Sequence, residues 1–170
     1  MDTQKKQEIC DLLDRIGTIV VCSLGSEGYP NAKGMLKLEH DGLDKFYFST
    51  NTSSRRARQF MTQHKACIYF FDPETFHGVM LTGDMAVRTD RLARERLWRK
   101  GFEMYYPAGI DDGDYCVLEF TSLSGNFYHG LANCDFNPAE VTEWMKNYSG
   151  SPDVRDVRLH ETMVQSGFLD

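Results

Sequence analysis

The stretch FYFSTNTSSRRARQF, Phe46 to Phe60, decides how the chain is read. An aromatic, strand-like run stops at Ser49 and Thr50. Small polar residues follow, and beyond Ser54 the apolar positions Ala57, Phe60 and Met61 fall at helical spacing. The segment predicts a strand end, a loop and a helix over 54–63. A helix start carries unpaired backbone N–H groups and partial positive charge. With the hydroxyls of Thr50 and Ser54 and the guanidiniums of Arg55 and Arg56 around it, the junction has the donors and the charge for a phosphate dianion. Lys33, on a neighbouring strand, is a third candidate cation. Two plainer uses of the same residues stay open here. Ser53 or Ser54 can serve as an N-cap beside solvated arginines, or the run can be a short nucleic-acid patch, which the acidic remainder of the chain disfavours.

Upstream, Ile9, Leu12, Leu13 and Ile16 mark an amphipathic helix over 3–16, capped by Thr3 and ended by Gly17. TIVVCSL (18–24) reads as a buried strand and GSEGYPN (25–31) as a turn. AKGMLKLEH (32–40) alternates, with Lys33, Met35 and Lys37 on one side and Gly34, Leu36 and Leu38 on the other. Asp41-Gly42 then predicts a hairpin-like turn into the strand 45–50.

Downstream, ACIYFF (66–71) is a strand stopped by Asp72-Pro73, and 78–89 is another, with Gly83 marking a bulge or close approach. Asp90 caps a helix over 91–100, closed by Gly101. Segments 115–123 and 126–129 read as the last strands, and Asn137-Pro138-Ala139-Glu140 starts a helix over 138–147. Residues 148–170 read as a polar tail on a domain spanning 1–147. Five to seven mostly antiparallel strands with three or four peripheral helices predict an α+β fold, a small barrel.

The composition narrows function. The chain has 170 residues, 41% hydrophobic and 12% aromatic, so it holds a real core. Its net charge of −6 argues against general binding to nucleic acid or to an anionic membrane. No apolar run approaches the ~18 residues of a membrane helix, and MDTQKKQEIC has no signal-peptide core. The five cysteines are odd in number and lack C-x-x-C spacing, so neither a disulfide framework nor a zinc site is expected. Cys22, Cys67 and Cys116 lie in apolar runs and read as small hydrophobes in a protein of the reducing cytoplasm. The five histidines show no ligand spacing, and no metal is expected. His129, beside Tyr128 at a strand end, is either a proton relay or a rim histidine. The same choice holds for His77. The six cations between Arg88 and Lys100 read first as a solvated or dimer-facing helix.

FSTNTSSRRA (48–57) resembles the phosphate-binding run of the pyridoxamine 5′-phosphate oxidase family, written roughly F-Y-T-N-x-x-S-R-K-A. Thr50, Asn51, Ser54 and Arg55 match, and Arg56 stands at the family's lysine. NAKGMLKL (31–38) resembles that family's R-x-V-L-L-K strand, with Lys33 at the arginine. NFYHG (126–130) resembles E-F-W-Q-G, with Tyr128 at the tryptophan. The three motifs run in the family's order over about residues 5–130. The resemblance implies a mostly antiparallel split β-barrel that binds FMN as a homodimer, with the flavin at the interface. It implies that Lys33, Ser49, Thr50, Ser54, Arg55 and Arg56 hold the flavin phosphate end. The backbone of Gly34, Met35 and Leu36 would lie along the ring, and Tyr128 would approach it. With a flavin so placed, a substrate pocket is expected near Tyr106 and His129, with a small-molecule substrate or an electron donor such as NADH or NADPH.

The chain departs from the vitamin oxidases. Gly78 stands where they place a glutamine, their Y-x-x-R-G-S motif is missing, and RLH at 158–160 comes about thirty residues too late. VMLTGDMAVRTD, then LW, then YYPAGIDDGDYCVLEFT resemble the general stress protein branch instead, through Trp98, Tyr106, Pro107, Gly109, Asp111 and Asp112. The expected function is an FMN-dependent oxidoreductase of unassigned substrate. The alternatives are a flavin sensor or reservoir without turnover, and a haem or tetrapyrrole protein on the same barrel.

Overall fold

The computed structural model describes residues 1–148. A single antiparallel sheet organises them, built from β1 (Thr18–Leu24), β2 (Pro30–Leu36), β3 (Glu39–Asp41), β4 (Lys45–Asn51), β5 (Lys65–Asp72), β6 (His77–Arg88), β7 (Tyr115–His129) and β8 (Ala132–Phe136). The strand order is β2-β1-β5-β6-β7-β4-β3, with β8 also paired to β7. Four helices flank it: α1 (Thr3–Arg15), α2 (Arg55–Thr62), α3 (Arg91–Leu97) and α4 (Pro138–Asn147). This is the α+β split barrel.

The curl has a local cause. β2 runs beside β1 as far as Thr18↔Leu36. The Lys37 N–H then bonds Gly17 O, and the Leu38 N–H bonds Tyr47 O on β4. The chain thus changes partners at 37–38, so the expected strand 32–40 is two strands. The change brings β2 near β4, at the other end of the sheet. A second device lies between β6 and β7, whose register shifts between Thr82 and Gly83. A Cβ on Gly83 would stand 2.0 Å from the Thr121 carbonyl oxygen, the close approach its position predicts.

Two apolar clusters follow from strand alternation. Phe46 and Phe48 face the barrel interior, with Ile19, Val21, Phe70, Leu81 and Phe120, and α1 closes it with Ile9, Leu12 and Leu13. Tyr47 points the other way, into a second cluster with Leu97, Phe102, Tyr106, Tyr115 and Val117. The aromatic run is therefore buried on both faces.

Several boundaries differ from expectation. Asp2, not Thr3, caps α1 by accepting the Lys5 N–H at 2.9 Å. α3 stops at Leu97, and Gly101, at φ +96°, leads instead into a 3-10 turn over Phe102–Met104. β7 runs unbroken through the predicted gap. β8, too polar to stand out in sequence, packs Phe136 against Gly125, where a Cβ would meet the ring at 2.3 Å. α4 and its Asn137 cap lie where predicted. The expected tail falls outside the described residues from 149 onward. Among the described residues no helix is long and apolar enough to cross a membrane.

Candidate functional site: a cationic cradle at the start of the second helix

β4 delivers Thr50 to the end of the barrel, 6% exposed. Its Oγ1 accepts a hydrogen bond from Arg56 Nη2 at 3.2 Å and donates to Ser54 Oγ at 3.4 Å. Ser54 is the N-cap of α2 and accepts the Ala57 N–H at 3.1 Å. The plain capping use is therefore real, and it sits inside a larger cluster. Arg56 Nε is buried and has no partner. Burial pulls the Arg56 guanidinium below its ordinary value. Among the described residues Arg15 pairs with Asp72, Arg88 with Glu119, and Arg96 and Arg99 with Glu39, while Arg94, whose Nε is also buried without a partner, donates from Nη1 to the Ile110 and Asp112 carbonyls. No carboxylate lies within ion-pair distance of Arg55 or Arg56 among the described residues. A half-buried cation that lacks a counter-ion is costly unless an anion completes it.

The loop ahead of α2 is fixed by Asp114, just before β7. Its carboxylate accepts Asn51 Nδ2 at 2.7 Å, the Ser53 N–H at 2.7 Å and Ser53 Oγ at 2.9 Å. These bonds hold it below the usual carboxylate range. The Thr52 N–H bonds the Asp114 carbonyl at 2.7 Å. Arg58 reaches back to the Ser53 carbonyl. Sequence reading missed this brace, because its partners lie 61 to 63 residues apart.

The remaining expected residues are dispersed. Ser49 takes the face of β4 opposite Thr50, the face shared with Tyr47 and the cluster that holds Tyr106. Tyr106 is 4% exposed in the second cluster, its ring 4.6 Å from that of Tyr115, and burial pushes its phenol well up. Lys33 and Gly34 are exposed on the edge strand β2, Met35 is buried in the barrel, and Leu36 is half-buried. Tyr128 lies 12 positions along β7 from Cys116, the partner of Thr50. The cradle and Tyr128 are thus separated by about 40 Å of strand.

Alternation also parts Tyr128 from His129. Tyr128 faces outward, edge-on to Phe76 at 6.2 Å. His129 stacks on the buried Phe127 at 4.9 Å, with His77 edge-on to it at 6.1 Å. The outward face around Tyr128 carries Tyr69, Phe71, Phe76 and Met80, which motif reading did not single out. A Cβ on Gly78 would lie 2.4 Å from the Tyr69 hydroxyl. The phenol occupies the space a glutamine would need.

This fold defines a class, and comparison with known proteins places the chain in it. The family model described as pyridoxamine 5′-phosphate oxidase matches residues 6–128, and the chain belongs to that family. It is 42% identical to a Clostridium acetobutylicum protein related to general stress protein 26 of B. subtilis, with a TM-score of 0.76 over 83% of this chain and 99% of that one. A heme binding protein from Mycobacterium smegmatis is 16% identical, with a TM-score of 0.67 over 84% of this chain and 62% of the other. A pyridoxamine 5′-phosphate oxidase-related, FMN binding protein from Nostoc punctiforme is 14% identical, with a TM-score of 0.59 over 81% and 97%. The last two share the fold. No curated protein matches the chain significantly by sequence.

Proposed function

We propose that the protein is an FMN-binding oxidoreductase that works as a homodimer in the cytoplasm on a small-molecule substrate. The observation that carries this reading is the guanidinium of Arg56, half out of water at a hydroxyl-lined helix start, its Nε without an acceptor. A phosphate monoester meets that need. Thr50 and Ser54 offer hydroxyls, Arg55 and Arg56 offer charge-assisted hydrogen bonds, and the first N–H groups of α2 point the same way. Family membership and the FMN-binding protein of the same fold make a flavin the fitting ester. Bound there, FMN would supply hydride and electron chemistry. The chain's own residues would anchor and orient it. Lys33 would add charge from β2, and the exposed backbone around Gly34 would give the ring a flat approach. No protein nucleophile is needed.

The homodimer rests on the separation of the two halves of the site. In one chain Tyr128 and the cradle lie toward opposite ends of β7, and a second copy would bring its Tyr128 to the cradle. NADH or NADPH is the proposed donor. A tetrapyrrole is the second reading, favoured by the heme binding protein of the same fold. His129 would be its ligand, but that ring stacks on Phe127 beside His77.

The experiment is a flavin titration of the protein and of Arg55→Ala/Arg56→Ala. We expect the double variant to bind FMN at least about 100-fold more weakly, the scale of two lost charge-assisted hydrogen bonds, while riboflavin binding changes little. Equal FMN affinity in both proteins defeats the assignment. A visible spectrum of the purified protein separates flavin from haem. Reduction by NADPH followed by steady reoxidation separates an enzyme from a passive carrier.

A further inference from the structure

The barrel brings two cysteines face to face. β1 and β5 pair with Cys22 directly opposite Cys67. Their strand neighbours Val21, Ser23 and Ile68 are buried, so both cysteines share the outward face, each half-buried. Directly opposed residues in an antiparallel pair have Cα atoms about 4.5 or 5.5 Å apart. A disulfide accepts Cα separations of about 4.4–6.8 Å. Both are free thiols, and the other three cysteines lie on α1, β7 and β8.

We propose that Cys22 and Cys67 form a redox-active dithiol, which low-molecular-weight disulfides oxidise to a cross-strand disulfide and thiols restore. The order of attack follows from their surroundings. Burial pushes Cys67 up to about 11. Burial raises Cys22 as well, and the Cys67 thiol beside it offsets part of that. Cys22 therefore loses its proton first. Its thiolate attacks one sulfur of the small disulfide, whose S–S bond breaks and releases one thiolate. Cys67 then gives up its proton and attacks the Cys22 sulfur of the mixed disulfide, releasing the second thiolate. The protein loses two electrons and two protons, and the small disulfide becomes two thiols. The cross-strand neighbours on this face, Thr82 opposite Cys67 and Ala32 opposite Cys22, are small, and the large side chains begin one pair further on, at Tyr69 and Met80. Nothing in the step involves a flavin, so it stands apart from the cradle.

The test treats the full-length protein with cystamine, alkylates the remaining thiols and maps peptides by mass. The expected product is one peptide pair joined through Cys22 and Cys67, reopened by dithiothreitol. Its rate of formation should rise about tenfold per pH unit from pH 6 to 8, following the thiolate. In Cys67→Ser the reaction should stop at a mixed disulfide on Cys22, one cysteamine at that position. Recovery of Cys22 and Cys67 from the wild type as separate peptides, alkylated or individually capped, overturns the proposal.

Discussion

Arg56 and Asp114 divide the work of the cradle between them. Arg56 brings charge but only one hydrogen bond of its own, to Thr50. Asp114 brings no charge that an anion would favour, and yet it sets where Asn51 and Ser53 stand, and through them the approach to Ser54. It is a positioning residue. Its pKa lies below the ordinary 3.8, so the brace is present at neutral pH and is lost as pH falls through that lowered value. Asp114→Asn keeps the shape but removes the charge-assisted bonds at every pH. We expect FMN affinity to fall by about tenfold, the loss of roughly one charged hydrogen bond. Riboflavin affinity should hold, since only the phosphate end is disturbed. The paired titrations check this, and an equal loss for both ligands would mean that Asp114 supports the fold rather than the cradle.

At the scale of elements, the glycines are more informative than the apolar residues. Gly83 sits where β6 slips a register against β7, with the Thr121 carbonyl where a Cβ would go. That obstacle is backbone and cannot swing aside. Gly83→Ala should cost about 3 kcal/mol or more, seen as a lower thermal midpoint. Gly113→Ala, with nothing within 4 Å of its would-be Cβ, should stay within about 0.5 kcal/mol. A similar midpoint for both would show that the strand relaxes around the bulge.

The bulge, α1, α4 and most strands were readable because their signals are local: a period, a cap, a turn. What escaped reading was non-local. β8 is polar and exists because β7 offers it an edge, with Gly125 making room for Phe136. The partner change at 37–38 depends on Gly17 and Tyr47, which no spacing rule links to it. The site divides in the same way. Thr50, Ser54 and Arg56 were legible as one run of sequence, and they meet as one cluster. Tyr128 and His129 adjoin in β7, whose alternation turns them to opposite faces, and Tyr106 comes from a distant turn, so the three lie in different surroundings.

For the whole molecule the question is how a cradle at one end of β7 and an aromatic face at the other would serve the one ligand proposed for them. Within a chain the sheet is rigidly paired from β2 to β3, so neither end can swing to the other. The outward face near Tyr128 also leaves large apolar groups in water, with Phe76 61% exposed and Met80 39% exposed. A second 19.5 kDa chain seated there would cover them and bring one copy's Tyr128 to the other's cradle. Met80 is central to that face and pairs with Tyr69 and Asn126. Met80→Asp places a charge in the proposed contact, where burial without a partner is costly, but leaves it solvated in a lone chain. We expect the variant to sediment as a monomer, to keep the wild-type circular dichroism, and to lose FMN together with its partner. The wild type should sediment as a dimer at micromolar concentration and release flavin as dilution separates it. A monomeric variant that holds FMN as tightly as the wild type would show that one chain completes the site, and the partner would then have no part in binding.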